Sequence, residues 1–351
     1  MKILVAFDSF KGCMTANDAC RAAAEALREA SKEAEVVCLP MSDGGEGMTE
    51  CIAQAIDCTK IALRVHGPLM ETVTAHYVVT TDGTTAFMEM AEASGLQLVP
   101  VHKRNPMLAT TIGVGEMMLD AVRRGCRRIV IGIGGSATCD AGKGMVEYLR
   151  GHLPLPAEIL VASDVSNPLY GPNGAAYVFA PQKGASADEV KLLDQRLRTF
   201  AAEAERDGIA PVSLATEPGA GAAGGLGYGL MAYLGARLTS GIDLVLDAVA
   251  FERHLLNADL VITGEGRSDR QTLMGKVPYG ILKRANARRI PVVLLSGAIE
   301  DGKSLQEAGF SRVASINDGD ERSLNELMAR DVAMANLAEA CKRLLAAWHT
   351  D

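Results

Sequence analysis

Short apolar runs of strand length, each followed by a loop and then by a helix-like stretch, constrain this chain more than any other feature. KILVAF at 2–7, the run at 35–39, RIVIGI at 128–133, DLVIT at 259–263, PVVLLS at 291–296 and the run at 312–316 share this rhythm. Parallel neighbours need a crossover, usually a helix packed on the sheet, so the order predicts a mostly parallel sheet covered on both faces. Residues 61–90 read differently: ALRVHGPLMETVTAHYVVTTDGTTAFMEM has strands separated by short turns, the grammar of antiparallel hairpins. At 351 residues the chain is long enough for two domains. The expectation is an α/β protein with a doubly wound, mostly parallel, flavodoxin- or Rossmann-like domain from residues 1–60 and 256–351. A mixed α/β domain at 61–255 interrupts it, the strand at 128–133 could join either, and the active site is expected in the cleft between them.

Composition removes several classes of function. A net charge of -8 argues against a nucleic-acid partner, whose phosphates demand clustered Lys and Arg. The cysteines form no CxxC pair and the histidines no HxxxH, so a transition-metal site is not expected. Scattered cysteines and an N-terminus running straight into a strand fit a cytoplasmic protein. Residues 218–236 carry no charge but include seven glycines, too many for a membrane helix. The final helix is expected to open at Ser323 and dock through Leu327, Ala335, Ala338, Cys341, Leu345 and Trp348.

In open α/β sheets, ligands bind beyond the carboxyl ends of the strands. Unusual residues recur there: Asp8-Ser9-Phe10-Lys11-Gly12, Asp43-Gly44-Gly45-Glu46-Gly47, Gly134-Gly135-Ser136-Ala137-Thr138, the 162–173 stretch with Asp164, and Gly264-Glu265-Gly266 running on to Asp269 and Gln271. Glycine lets backbone N–H groups approach phosphate oxygens, hydroxyls supplement them, and carboxylates hold Mg²⁺ or take a hydroxyl proton. Phosphoryl transfer needs that combination. Lys11, Asp43 and Asp164 are the candidate catalytic groups, with Asp164 and Asp269 as metal ligands. Asp8, Ser9, Gly134, Gly135, Ser136, Thr138, Glu265 and Gln271 are expected at substrate or phosphate. Lys183, in the Pro/Gly-fixed turn PQKGA, suits an anion, and Gly221 and Gly224 belong either to a phosphate cradle or to tight helix packing. Residues 297–304 match GxxxxGK[ST], but Glu300 and Asp301 would face the phosphates, so the match reads as accidental.

DSFKG (8–12), PMSDGGEG (40–47), GIGGSAT (132–138), ASDVSNPL-GPNGA (162–175), PQKGA (181–185), PGAGAAGGLG (218–227) and ADLVITGEGRSDRQTLMGK (258–276) together resemble the type I glycerate kinase family. The resemblance covers almost the whole chain in unbroken order. It implies a two-domain α/β enzyme that phosphorylates D-glycerate with ATP and Mg²⁺, and its bacterial members point to 2-phosphoglycerate rather than 3-phosphoglycerate as product. It implies small-molecule partners, no nucleic acid and no membrane, and leaves a homo-oligomer open. The chain departs from the family at the short segment between Tyr148 and Ile159, at Cys139 and Ala141, and at Ser268. A kinase for another small hydroxy acid is the nearest alternative, and a non-catalytic sugar-acid sensor the next. A sensor should have lost strand-end carboxylates, whereas Asp8, Asp43, Asp164 and Asp269 are all present. A Rossmann dehydrogenase would need GxGxxG directly after the first strand.

Overall fold

The computed structural model describes residues 1–348, which separate into two compact units. The first comprises residues 1–43, 50–55 and 242–348; the second comprises 44–49 and 56–241. Five strands of the first unit form a sheet in the spatial order Arg312–Ser315, Val292–Ser296, Leu260–Gly264, Lys2–Phe7, Glu35–Cys38, while Arg267–Ser268 pairs separately with Ala298–Ile299. Every pairing is parallel, with Ile3 opposite Leu260 and Lys2 opposite Glu35. This is the doubly wound order of flavodoxin-like sheets. Both faces are covered, so the strands read as continuous apolar runs instead of alternating ones.

On one face Ile3, Val5 and Phe7 pack with Ala19, Ala23 and Leu27 of helix Ala16–Ala30 and with Leu337, Cys341 and Leu344 of helix Arg330–Trp348. Thr15 and Asp18 close a capping box on the first of these helices. Asp18 also takes two bonds from Arg330, at 3.0 and 2.6 Å, which pins the start of the last helix. On the other face Gly280 of helix Val277–Asn286 lies so close to Ile242 that an added Cβ would meet its Cγ1 at 2.4 Å. The last helix differs from the sequence expectation. The Ser323–Glu326 capping box starts only a single turn, Leu324–Leu327, and the long helix begins at Arg330. Of the expected docking residues, Cys341 and Leu345 are buried and Ala338 and Trp348 pack against the core, while Leu327 falls in the preceding turn and Ala335 is exposed. Ala333, Leu337, Ala340 and Leu344 complete the buried stripe.

The second unit holds a six-stranded sheet in sequential order: Cys58–His66, Thr72–Thr80, Thr85–Glu89, Arg128–Gly132, Glu158–Ala162, Arg237–Thr239. The first three strands are antiparallel, as the short turns between them require, and the pairings from Thr85–Glu89 onward are parallel. The strand Arg128–Gly132 therefore sits between Thr85–Glu89 and Glu158–Ala162 in this sheet and not in the first. No helix among the described residues is long and apolar enough to cross a membrane.

Candidate active site

In the first unit the strand order reverses between Lys2–Phe7 and Leu260–Gly264, so the loops leaving their carboxyl ends diverge and open a crevice. A cavity of roughly 380 Å³ lies there, and Asp8, Ser9, Lys11, Asp43, Glu265 and Lys276 line its polar end. Asp8 is buried at 6 % exposure, and one carboxylate oxygen accepts from the Ser9 N–H at 2.6 Å. Burial and the neighbouring Asp43 push its pKa up to about 7, with Glu265 adding to the rise and the Ser9 bond and Lys11 opposing it. Glu265 is held by Ser268 Oγ at 3.1 Å, Thr272 Oγ1 at 2.6 Å and Lys276 Nζ at 3.1 Å. Five of the sequence-predicted residues, Asp8, Ser9, Lys11, Asp43 and Glu265, thus converge on one cavity. Lys276 was not singled out, although it ends the quoted GEGRSDRQTLMGK stretch.

Asp269 and Gln271 do other work. Asp269 caps the short helix Arg270–Met274, its Oδ1 accepting from the Gln271 N–H at 2.7 Å while Thr272 Oγ1 accepts from the Asp269 N–H at 3.1 Å. Capping engages one oxygen of the Asp269 carboxylate, with Arg267 Nε 3.7 Å from the other, and the Gln271 side chain is exposed and does not line the cavity. Residues 297–304 likewise form no phosphate loop. Asp301, at φ 59°, caps a six-residue helix with its own carboxylate, and exposed Lys303 reaches Glu307 at 3.8 Å.

In the second unit the Gly134–Thr138 turn follows strand Arg128–Gly132, and Gly135 adopts φ 73°, a conformation that favours glycine. The buried Lys183 amine donates to Ser136 Oγ at 2.6 Å and to the Thr138 carbonyl at 2.7 Å. It therefore braces this turn from inside. Burial lowers its pKa to about 8, against the pull of Cys139 and Asp140. The unfolded lysine keeps its proton to about 10.5, so between those values the unfolded chain carries more protons and folding stability rises with pH. Lys183→Met should cost about 1–3 kcal/mol by leaving the two oxygens unpaired. The wild type's advantage should widen from pH 8 toward 10.5 in thermal melts, and a constant gap would show that Lys183 does not titrate there.

Gly221 and Gly224 face acceptors, not a cradle of donors. A Cβ at Gly221 would meet the Pro168 carbonyl oxygen at 2.1 Å, and one at Gly224 the Thr138 carbonyl oxygen at 2.0 Å. Carbonyl oxygens repel phosphate, so these glycines serve close packing around helix Ala222–Leu234. Asp164 is exposed beyond strand Glu158–Ala162, and its Oδ1 accepts from the Gly241 N–H at 3.3 Å. The loop after Asp43 has an anchor that sequence reasoning missed. Buried Glu89 accepts from the Gly47 N–H at 3.0 Å and from Thr49 N–H and Oγ1, both at 2.8 Å. A carboxylate ending an otherwise apolar strand was its only signal. Among the described residues no three His, Cys, Asp or Glu are grouped to hold a metal ion, so a metal here needs oxygens from a bound ligand.

This arrangement matches known proteins over nearly its whole length. The glycerate kinase family profile matches residues 3–154 and 150–349. A glycerate kinase of Bacillus subtilis (strain 168) is 43 % identical over 349 residues, covering 91 % of each chain. The glycerate 2-kinase of Escherichia coli (strain K12) is 41 % identical over 355 residues, covering 92 % of this chain and 93 % of its own. The crystal structure of a candidate glycerate kinase 2 from Salmonella typhimurium LT2 superposes with a TM-score of 0.86 at 37 % identity, covering 100 % of this chain and 98 % of that one. The chain is an enzyme and belongs to the glycerate kinase family.

Proposed function

We propose that the enzyme transfers the terminal phosphoryl group of ATP to D-glycerate, giving 2-phosphoglycerate and ADP. The observation that carries this reading is the buried Asp8, with a pKa near 7, beside Asp43 and two lysines in one cavity. A general base works best when its pKa lies near the working pH, and Asp8 would take the proton of the attacking hydroxyl. Lys11 and Lys276 supply positive charge for a carboxylate or a phosphoryl oxygen. Burial, with Asp43 beside it, keeps the Asp8 pKa high. In the second unit Gly135, Ser136 and Thr138 are the proposed phosphate contacts, held in register by Lys183.

Magnesium fits as a companion of the nucleotide, where it neutralises phosphate charge. Asp164 offers it one exposed carboxylate, a hard oxygen donor of the kind Mg²⁺ takes alongside phosphates and water. Asp269, with one oxygen on its helix cap and the other 3.7 Å from Arg267, is the less available carboxylate. Eight free thiols and no disulfide among the described residues suit a cytoplasmic setting.

Incubation with ATP, Mg²⁺ and D-glycerate, followed by phosphorus NMR, tests the reading. A 2-phosphoglycerate signal is expected, and 3-phosphoglycerate would revise the hydroxyl. No ADP release with glycerate but turnover with another hydroxy acid would move the assignment to that acid. Lys11→Met is expected to lower kcat/KM about a hundredfold, roughly 3 kcal/mol of transition-state stabilisation. An unchanged kcat/KM would remove Lys11 from the chemistry.

A further inference from the structure

We propose that the apolar end of the cavity in the first unit seats the base of the nucleotide. This rests on the phosphoryl-transfer reading and adds to it which unit holds the donor's base. The cavity, at roughly 380 Å³, falls in the size range of small-molecule pockets and exceeds what a three-carbon acid fills. Beside the charged residues, its lining includes Phe10, Ile316, Leu324, Leu327, Met328 and Ala333. Phe10, Ile316 and Ala333 are buried, but Leu324 is 70 % exposed and Met328 39 % exposed, so these two side chains stand open at the cavity. Met328 Cε lies 3.5 Å from where a Cβ on Gly12 would stand. The apolar wall therefore continues to the turn that carries Lys11, placing an apolar seat next to a cation. A base joined to a polyphosphate has the same two-part character.

The Asn317 side chain, which lines the cavity, already has partners. Its Nδ2 donates to the Gly297 carbonyl at 2.8 Å, and its Oδ1 accepts from Asn336 Nδ2 at 2.8 Å. Recognition would thus run through the face of the base, with little reading of its edge, and adenine and guanine nucleotides should bind alike.

The test is calorimetric binding to the full chain without any hydroxy acid, comparing wild type with Leu324→Ser/Met328→Ser. Both positions are solvent-facing, and a melting curve checks that the variant folds. ADP and adenosine should bind about tenfold more weakly to the variant, the loss expected from two partly exposed apolar contacts. Tripolyphosphate affinity and, in a separate titration, glycerate affinity should not change. Unchanged ADP affinity, an equal loss for tripolyphosphate, or a loss appearing only for glycerate would each overturn the proposal. A hundredfold preference of the wild type for ADP over GDP would overturn recognition through the face. Binding is read without turnover, so an enzyme that fails to phosphorylate glycerate yet loses ADP affinity here would keep the seat and lose only the acceptor assignment.

Discussion

Asp8→Asn should lower kcat by about three orders of magnitude, within the range for loss of a general base, and should make the protein more stable at pH 8. The two effects share one cause. An unfolded aspartate loses its proton near pH 3.8, whereas folded Asp8 holds its own to about 7. Between these values the native state binds more protons, so stability falls as pH rises through the window and the full cost is present above 7. Every tenfold weakening of the folded carboxyl as an acid costs about 1.4 kcal/mol, which sets an upper bound of a few kcal/mol. Asparagine stays neutral, keeps an acceptor for the Ser9 N–H and removes that cost. The melting temperature of Asp8→Asn should exceed that of the wild type at pH 8, and the gap should close toward pH 4. A variant no more stable at pH 8, or one with kcat within tenfold of wild type, would sink the assignment. Asp164→Asn provides the contrast: its kcat should fall at least about tenfold less, and raised Mg²⁺ should recover part of it. The reverse ranking would return the base role to Asp164.

Gly224→Ala carries the largest expected stability loss. The backbone there has φ +69°, and the new Cβ would stand 2.0 Å from the Thr138 carbonyl oxygen and 2.7 Å from Cys139 Cα. A left-handed alanine alone costs about 1–2 kcal/mol. Displacing the backbone at Thr138 and Cys139 adds to that, for an expected total of about 3–5 kcal/mol and a fall in melting temperature of about 10 °C. The Thr138 carbonyl is also the 2.7 Å acceptor of Lys183, so the same change should loosen the Gly134–Thr138 turn. Gly208→Ala isolates the strain, because Gly208 has the same φ of +69° and nothing within 4 Å of an added Cβ. Equal losses in the two variants would mean that contact with Thr138 contributes nothing.

The alternation of strand and helix, the antiparallel start of the second sheet and the convergence of Asp8, Lys11, Asp43 and Glu265 were legible because each follows from local pattern plus one rule about strand ends. Roles within the loops were less so. Asp269 followed three residues later by Thr272 is a capping pattern, yet the same letters suit a metal ligand, and only the bond to the Gln271 N–H distinguishes them. The glycines at 221 and 224 look alike in sequence whether their N–H groups cradle a phosphate or their missing side chains make room for neighbouring carbonyls. Glu89 escaped notice because its partners, Gly47 and Thr49, lie about forty residues away in sequence. The docking stripe of the last helix holds at Ala338, Cys341, Leu345 and Trp348 but not before them, because an unmarked break after Leu327 separates the Ser323 cap from the long helix.

The interrupted first unit bears on how the chain folds. Its central pair joins Lys2–Phe7 to Leu260–Gly264, a contact that would ordinarily require closing a very long loop. The intervening unit removes most of that cost on its own. Its two ends meet where Gly44 passes Gly241, so closely that a Cβ on Gly44 would lie 2.8 Å from Gly241 Cα. Once this unit has formed, the polypeptide entering and the polypeptide leaving it emerge side by side, and the distant strands behave as near neighbours. Nascent residues 1–43 must wait unpaired on their Leu260 side until that moment, which makes the first strand the segment most in need of protection during synthesis.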